Sequence, residues 1–142
     1  MRLFRERLAQ ALEKRLAIHA NAYRDVTGER GRTWITLDGE EIASFCYFAH
    51  ETVSRTTDNP GGDFTKWDFG AAFGRYLDLS IEDALASENP IITGLALLDR
   101  RVGKRRLKLL AEREFAEPAK TLLDVRLAAE GLPPARGVHS PV

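Results

Sequence analysis

The sequence predicts an α+β fold: an amino-terminal helix, a three-stranded antiparallel sheet, then four or five helices packed on one sheet face. Three observations carry this expectation. Apolar residues recur at helical spacing near the start. β-branched and aromatic residues then crowd two stretches separated only by Asp38-Gly39. Helix-start and helix-stop signals alternate from residue 64 to residue 131. The 142 residues suit one domain, expected over 1–131, with a disordered tail over 132–142 that holds Pro133, Pro134 and Pro141.

In chain order, Phe4, Leu8, Ala11, Leu12 and Leu16 predict an amphipathic helix over 3–16. The period then shortens to two. Ile18, Ala20 and Ala22 alternate with His19, Asn21 and Tyr23, as a strand packed on one face requires. Thr27-Gly28-Glu29-Arg30-Gly31 reads as a polar turn. Asp38-Gly39 supports a type I′ hairpin, because glycine takes a positive φ at little cost. The expected register pairs Leu37 with Glu40, Ile35 with Ile42 and Thr33 with Ser44. Trp34, Ala43, Phe45 and Tyr47 then fall on the opposite face. A loop is expected over 50–65, broken by Asp58-Asn59-Pro60-Gly61-Gly62-Asp63. A helix over 64–77 would bury Trp67, Phe69, Phe73 and Tyr76. Ser80 caps a short helix that ends at Asn89-Pro90, and Ile91 to Leu98 forms a buried helix. A further helix is expected over 100–114 with Asp99 as its cap. The last begins at Glu117-Pro118 and stops at Gly131.

The formal net charge is zero, but it is divided into blocks: residues 1–37 carry +4, residues 38–90 carry −8, and residues 91–142 carry +4. Opposed blocks favour two faces of unlike potential over a surface that grips nucleic acid everywhere. The amino terminus turns charged at once, so no signal peptide is expected, and no apolar run is long enough to cross a membrane. Cys46 stands alone, so no internal disulfide can form; a reducing, cytoplasmic setting is expected.

The most unusual stretch is Arg100 to Lys108, in which six of nine residues are basic. On a helix, Arg101, Lys104, Arg105 and Lys108 would share a stripe at i, i+3, i+4 and i+7. Such a stripe could follow a phosphate backbone or meet an acidic protein surface. The alternative is internal: these cations would pair with the carboxylates of the middle block, and Asp99 would hold Arg101 or a neighbouring arginine.

Trp34-Ile35-Thr36-Leu37 together with Leu98-Asp99-Arg100-Arg101-Val102-Gly103-Lys104-Arg105-Arg106-Leu107 resembles a family of uncharacterised small bacterial proteins of similar length and element order. The resemblance covers most of residues 1–131. It implies a cytosolic bacterial fold and brings no activity with it. Asp99, Arg101, Arg106 and Leu107 also resemble a short pattern in the DNA-binding part of some transposases, which would imply binding alone.

Few residues are suited to catalysis. His19, His50 and His139 are the only histidines. Cys46 and His50 are four apart but leave a strand end at different angles, so Cys46 reads as a core residue. His50, Glu51, Asp58 and Asp63 offer an acidic contact surface, but their spacing matches no metal loop. No catalytic residue, metal or cofactor is assigned. The favoured reading is a non-enzymatic binding or regulatory protein, of the kind an immunity or antitoxin-like factor represents. Its contacts would be Arg101, Lys104, Arg105 and Lys108 on the basic side and His50, Glu51, Asp58 and Asp63 on the acidic side, with a protein as partner. A nucleic-acid binder using the basic helix is the first alternative. A small hydrolase-like enzyme around His19, Tyr23 and His50 is the second.

Overall fold

A computed structural model describes residues 2–25, 28–47 and 59–135. The fold is α+β, with three strands and, among the described residues, six α-helices. The chain divides into two compact units, one of residues 1–13 and 73–142, the other of residues 14–72.

The second unit holds the sheet, in order β1 (Leu16–Asp25), β2 (Gly28–Leu37), β3 (Glu40–Phe45), all antiparallel. Asp38-Gly39 makes the predicted hairpin turn, with φ of 52° and 84°. Arg15 braces it: its backbone carbonyl accepts from the Asp38 N–H, and its guanidinium binds both Asp38 carboxylate oxygens. The bond to Arg15 draws the Asp38 carboxyl below its ordinary value.

The expected register holds at Leu37–Glu40 and then slips. A bulge leaves Ile42 unpaired, so Ile35 faces Ala43 and Thr33 faces Phe45. One extra residue reverses the side-chain alternation of everything beyond it. Ala43 and Phe45 therefore join the buried Ile35 on the core face, and Trp34 is left opposite Ser44. The turn expected over 27–31 is also corrected, because Gly28 to Gly31 belong to β2. A Cβ on Gly31 would sit 2.5 Å from the Asn21 carbonyl oxygen, so glycine there permits the strands' close approach.

α2 (Lys66–Asp78) starts at a reciprocal box: Thr65 Oγ1 accepts from the Asp68 N–H, and Asp68 Oδ2 accepts from the Thr65 N–H. Phe69 packs on Phe45 with ring centres 4.7 Å apart. Trp67 is not in the core as expected. It is 59% exposed, at the edge of Tyr47 and beneath the Lys66 ammonium. Its place in the first turn, two residues before the buried Phe69, turns it outward.

In the first unit, α1 (Arg2–Arg7) is shorter than its apolar spacing predicts. The backbone leaves the helix because Ala9 N–H donates to the Leu98 carbonyl and Arg100 N–H to the Arg7 carbonyl, a bridge centred on Leu8 and Asp99. A single 3-10 turn, Gln10–Leu12, follows. Phe4, Leu8 and Leu12 are buried all the same.

α3 (Ile81–Ala86) is capped by Ser80 as predicted. α4 (Pro90–Leu97) is capped by Asn89 and is buried from Ile91 to Leu97. α6 (Ala119–Ala129) starts after Pro118, with Glu117 accepting from the Thr121 N–H and hydroxyl. The helix expected over 100–114 is only α5 (Lys104–Leu110), and Asp99 does not cap it; Gly103 does, without a side-chain bond.

Gly94 lets α4 and α6 touch. A Cβ there would lie 2.8 Å from Leu122 Cδ1 and 3.3 Å from Ala119 Cα. Gly94→Ala gains about 1 kcal/mol of helix propensity but meets a clash of about 1–3 kcal/mol. The expected net is a loss, and Gly94→Val should lose clearly more in urea unfolding. Equal or greater stability for Gly94→Val would refute this close packing.

Candidate functional site

The basic block lies in the first unit, on the turn from Leu98 to Gly103 and on α5. The turn is held from three directions. Its centre is Asp99, 1% exposed. One carboxylate oxygen accepts from the Tyr76 hydroxyl at 2.6 Å. Arg101 grips both oxygens with its guanidinium, Nη2 to Oδ2 at 2.7 Å, and donates its backbone N–H to Oδ1. Burial alone would raise the Asp99 carboxyl, but the Arg101 and Tyr76 hydrogen bonds together hold it below the ordinary value of 3.8. Burial, helped by the charge of Asp99, pushes the Tyr76 hydroxyl up, so it stays protonated and keeps donating.

The second support is Arg126 of α6, 3% exposed. Its Nη1 donates to the carbonyls of Leu97 and Asp99, its Nη2 to that of Val102, and its Nε to Glu130. A planar fork of five N–H groups suits this task, since it satisfies several carbonyls of one irregular turn at once. The third support is the backbone bridge to Arg7 and Ala9.

Beyond the turn, Val102, Leu107 and Leu110 are buried and pin α5. At about 100° per residue, Lys104, Lys108, Arg105 and Leu109 then share the outward arc, and all four are exposed. Positive charge in the first turn of a helix opposes its dipole, so local folding energy does not favour Lys104, Arg105 and Arg106 there.

The predicted stripe is thus rearranged. Arg101 stands before the helix and its guanidinium is committed to Asp99. Arg106 lies 3.5 Å from Glu82 in an exposed pair, a geometry that contributes little. Lys104, Arg105, Lys108 and Arg100 have no side-chain hydrogen bond or ion pair among the described residues. Arg100 and Lys104 line a cleft of about 670 Å³ that Glu13 and Glu130 also line.

On the acidic side, His50, Glu51 and Asp58 lie outside the described residues, and Asp63 is exposed in the turn after Asn59. His19 is engaged in the sheet: Nε2 is 2.8 Å from Thr36 Oγ1, and its ring stacks on Trp34 at 5.1 Å. The Arg32 guanidinium lies 4.2 Å from the Trp34 ring centre and bonds Glu41. This array of paired cross-strand residues braces the outer sheet face. The side chain of Tyr23 and the whole of His50 lie outside the described residues, and so does their expected convergence with His19. Cys46 is buried, as predicted. Among the described residues no three His, Cys, Asp or Glu side chains could hold a metal ion, and no helix is long and apolar enough to cross a membrane.

The sequence expects Tyr76 in the core but gives no role beside Asp99 to Tyr76, Arg126 or Leu109. A charged residue at a core position, Arg126 between Leu123 and Leu127, was the one available signal for the second of them.

A family model, that of the SF0329 protein family, matches residues 2–61 and 59–127. The chain belongs to that family. No curated protein and no solved structure matches it.

Proposed function

We propose that this member of the SF0329 family is a binding protein that meets an acidic protein surface through the Leu98–Gly103 turn and α5. The observation that carries this reading is the division of labour within the basic block. One arginine, Arg101, neutralises the buried Asp99 and another, Arg126, fastens the backbone. Arg100, Lys104, Arg105 and Lys108 are left facing solvent without counterions among the described residues. A rigid base with a bare cationic face is preorganised for an anionic partner, because little ordering remains to be done at binding. Leu109 lies among these cations and is 69% exposed. That mixture of apolar and cationic side chains favours a protein over a phosphate backbone.

The test compares wild type with Lys104→Glu/Arg105→Glu/Lys108→Glu, both recovered from the native cell under identical conditions. A stoichiometric protein companion is expected on the first and not on the second. The same companion on both overturns the reading. So does a low-salt gel shift with DNA or RNA that the triple variant abolishes, which would assign the face to nucleic acid.

A further inference from the structure

We infer that the groove between α3 and α5 receives an apolar side chain carried by an acidic segment of the partner protein. This rests on the reading of α5 above and names the partner's chemistry. The groove has a volume of about 500 Å³. Leu85 and Leu110 form its floor, and both are buried. Leu109 and Ala86 form apolar walls that face solvent. Arg106 and Arg113 stand on its rim, with Glu82 as the one carboxylate among the lining residues.

A lone exposed leucine is ordinary on a protein surface and means nothing by itself. Leu109 differs because it is continuous with an apolar floor, large enough for a leucine- or phenylalanine-sized side chain, and is bordered by guanidinium groups. An apolar anchor in a pocket with a polar rim is the anatomy of an interface centre. The charge of the rim selects the occupant. Arg106 and Arg113 border the groove, and Arg105 and Lys108 stand on the same helix. Carboxylates flanking the anchor would find counterions there, whereas a basic segment would be repelled. Glu82 does not reverse this, because its 3.5 Å contact with Arg106 is exposed and exchanges readily.

The experiment uses the full chain and three synthetic helix-forming peptides followed by fluorescence anisotropy. The first carries leucines at i, i+3 and i+4 among glutamates. The second replaces those leucines with alanine, and the third replaces the glutamates with lysine. The first should bind, the second at least tenfold more weakly, and the third not at all. Leu109→Gln and Ala86→Phe change only exposed positions, so both should keep the wild-type circular dichroism spectrum. Each should weaken the first peptide at least tenfold. Equal affinity for the leucine and alanine peptides, or unchanged affinity in Leu109→Gln, overturns the groove. If that binding is still lost in Lys104→Glu/Arg105→Glu/Lys108→Glu, the reading of α5 survives alone. Failure of the first peptide to bind also overturns the groove, while the reading of α5 is decided separately by isolation from the native cell. Concentration-dependent self-association abolished by Leu109→Gln would assign the groove to a second copy of the chain and overturn it as well.

Discussion

Arg126→Ala should destabilise the protein by about 3–5 kcal/mol, because it removes a buried charge that is the donor for several backbone carbonyls. The carbonyls of Leu97 and Val102 depend on its two Nη atoms, and Glu130 loses its partner. Alanine fills none of that space. Arg126→Lys keeps the charge but not the fork, so one ammonium cannot serve three carbonyls spread over the turn. It should remain well below wild type. Urea unfolding measures both variants, and hydrogen exchange at residues 98–103 should accelerate ahead of global opening. A loss under about 1 kcal/mol for Arg126→Ala would mean that the turn holds itself, contrary to this account.

Removing the Asp99 carboxylate should cost about 2–4 kcal/mol at neutral pH, less than a fully buried pair would, because Arg101 can rehydrate when released. Its guanidinium side is partly open to solvent while Asp99 is sealed. The pH dependence follows from the direction of the shift. The folded carboxyl lies below the ordinary 3.8, so its contribution is complete above that value and is lost as pH falls through the folded one. Wild type should therefore lose stability in acid below about pH 4, the range in which an ordinary carboxyl protonates. In Asp99→Asn that share of the acid dependence should vanish, leaving a flatter curve from a lower neutral value. Parallel acid branches in the two proteins would show that Asp99 is not a titrating support.

Local rules carried the secondary structure wherever chain neighbours decide it. Ser80 and Asp38-Gly39 each act on their own backbone within three residues as expected, whereas Asn89, expected to end α3, caps α4 and α3 already stops at Ala86. The expectations that failed are those settled at a distance. α1 stops at Arg7 because residues 98–100 capture its backbone, although the apolar spacing runs on to Leu16. The β2–β3 register slips because Ala43 and Phe45 bury better on the Ile35 face than on that of Trp34. No periodicity near Ile42 announces that exchange.

The candidate site was half legible for the same reason. Six cations in nine residues are visible in any reading, and so is Asp99 beside them. Their division into fasteners and free groups depends on Tyr76 and Arg126, which are 23 and 27 residues from Asp99. No sequence signal sets Leu109 apart from Leu107 and Leu110. Only the shortness of α5, with Leu107 and Leu110 facing inward, turns it out to solvent.

The central claim is that Lys104, Arg105 and Lys108 are held for a partner and do not neutralise the fold itself. Thermal unfolding of Lys104→Glu/Arg105→Glu/Lys108→Glu at low salt tests it directly. The account predicts stability within about 0.5 kcal/mol of wild type, since glutamates at 104 and 105 suit the dipole of the first turn while the one at 108, in the last turn, opposes it. A loss of several kcal/mol would show that these cations already serve carboxylates of their own chain, and the binding face would be refuted.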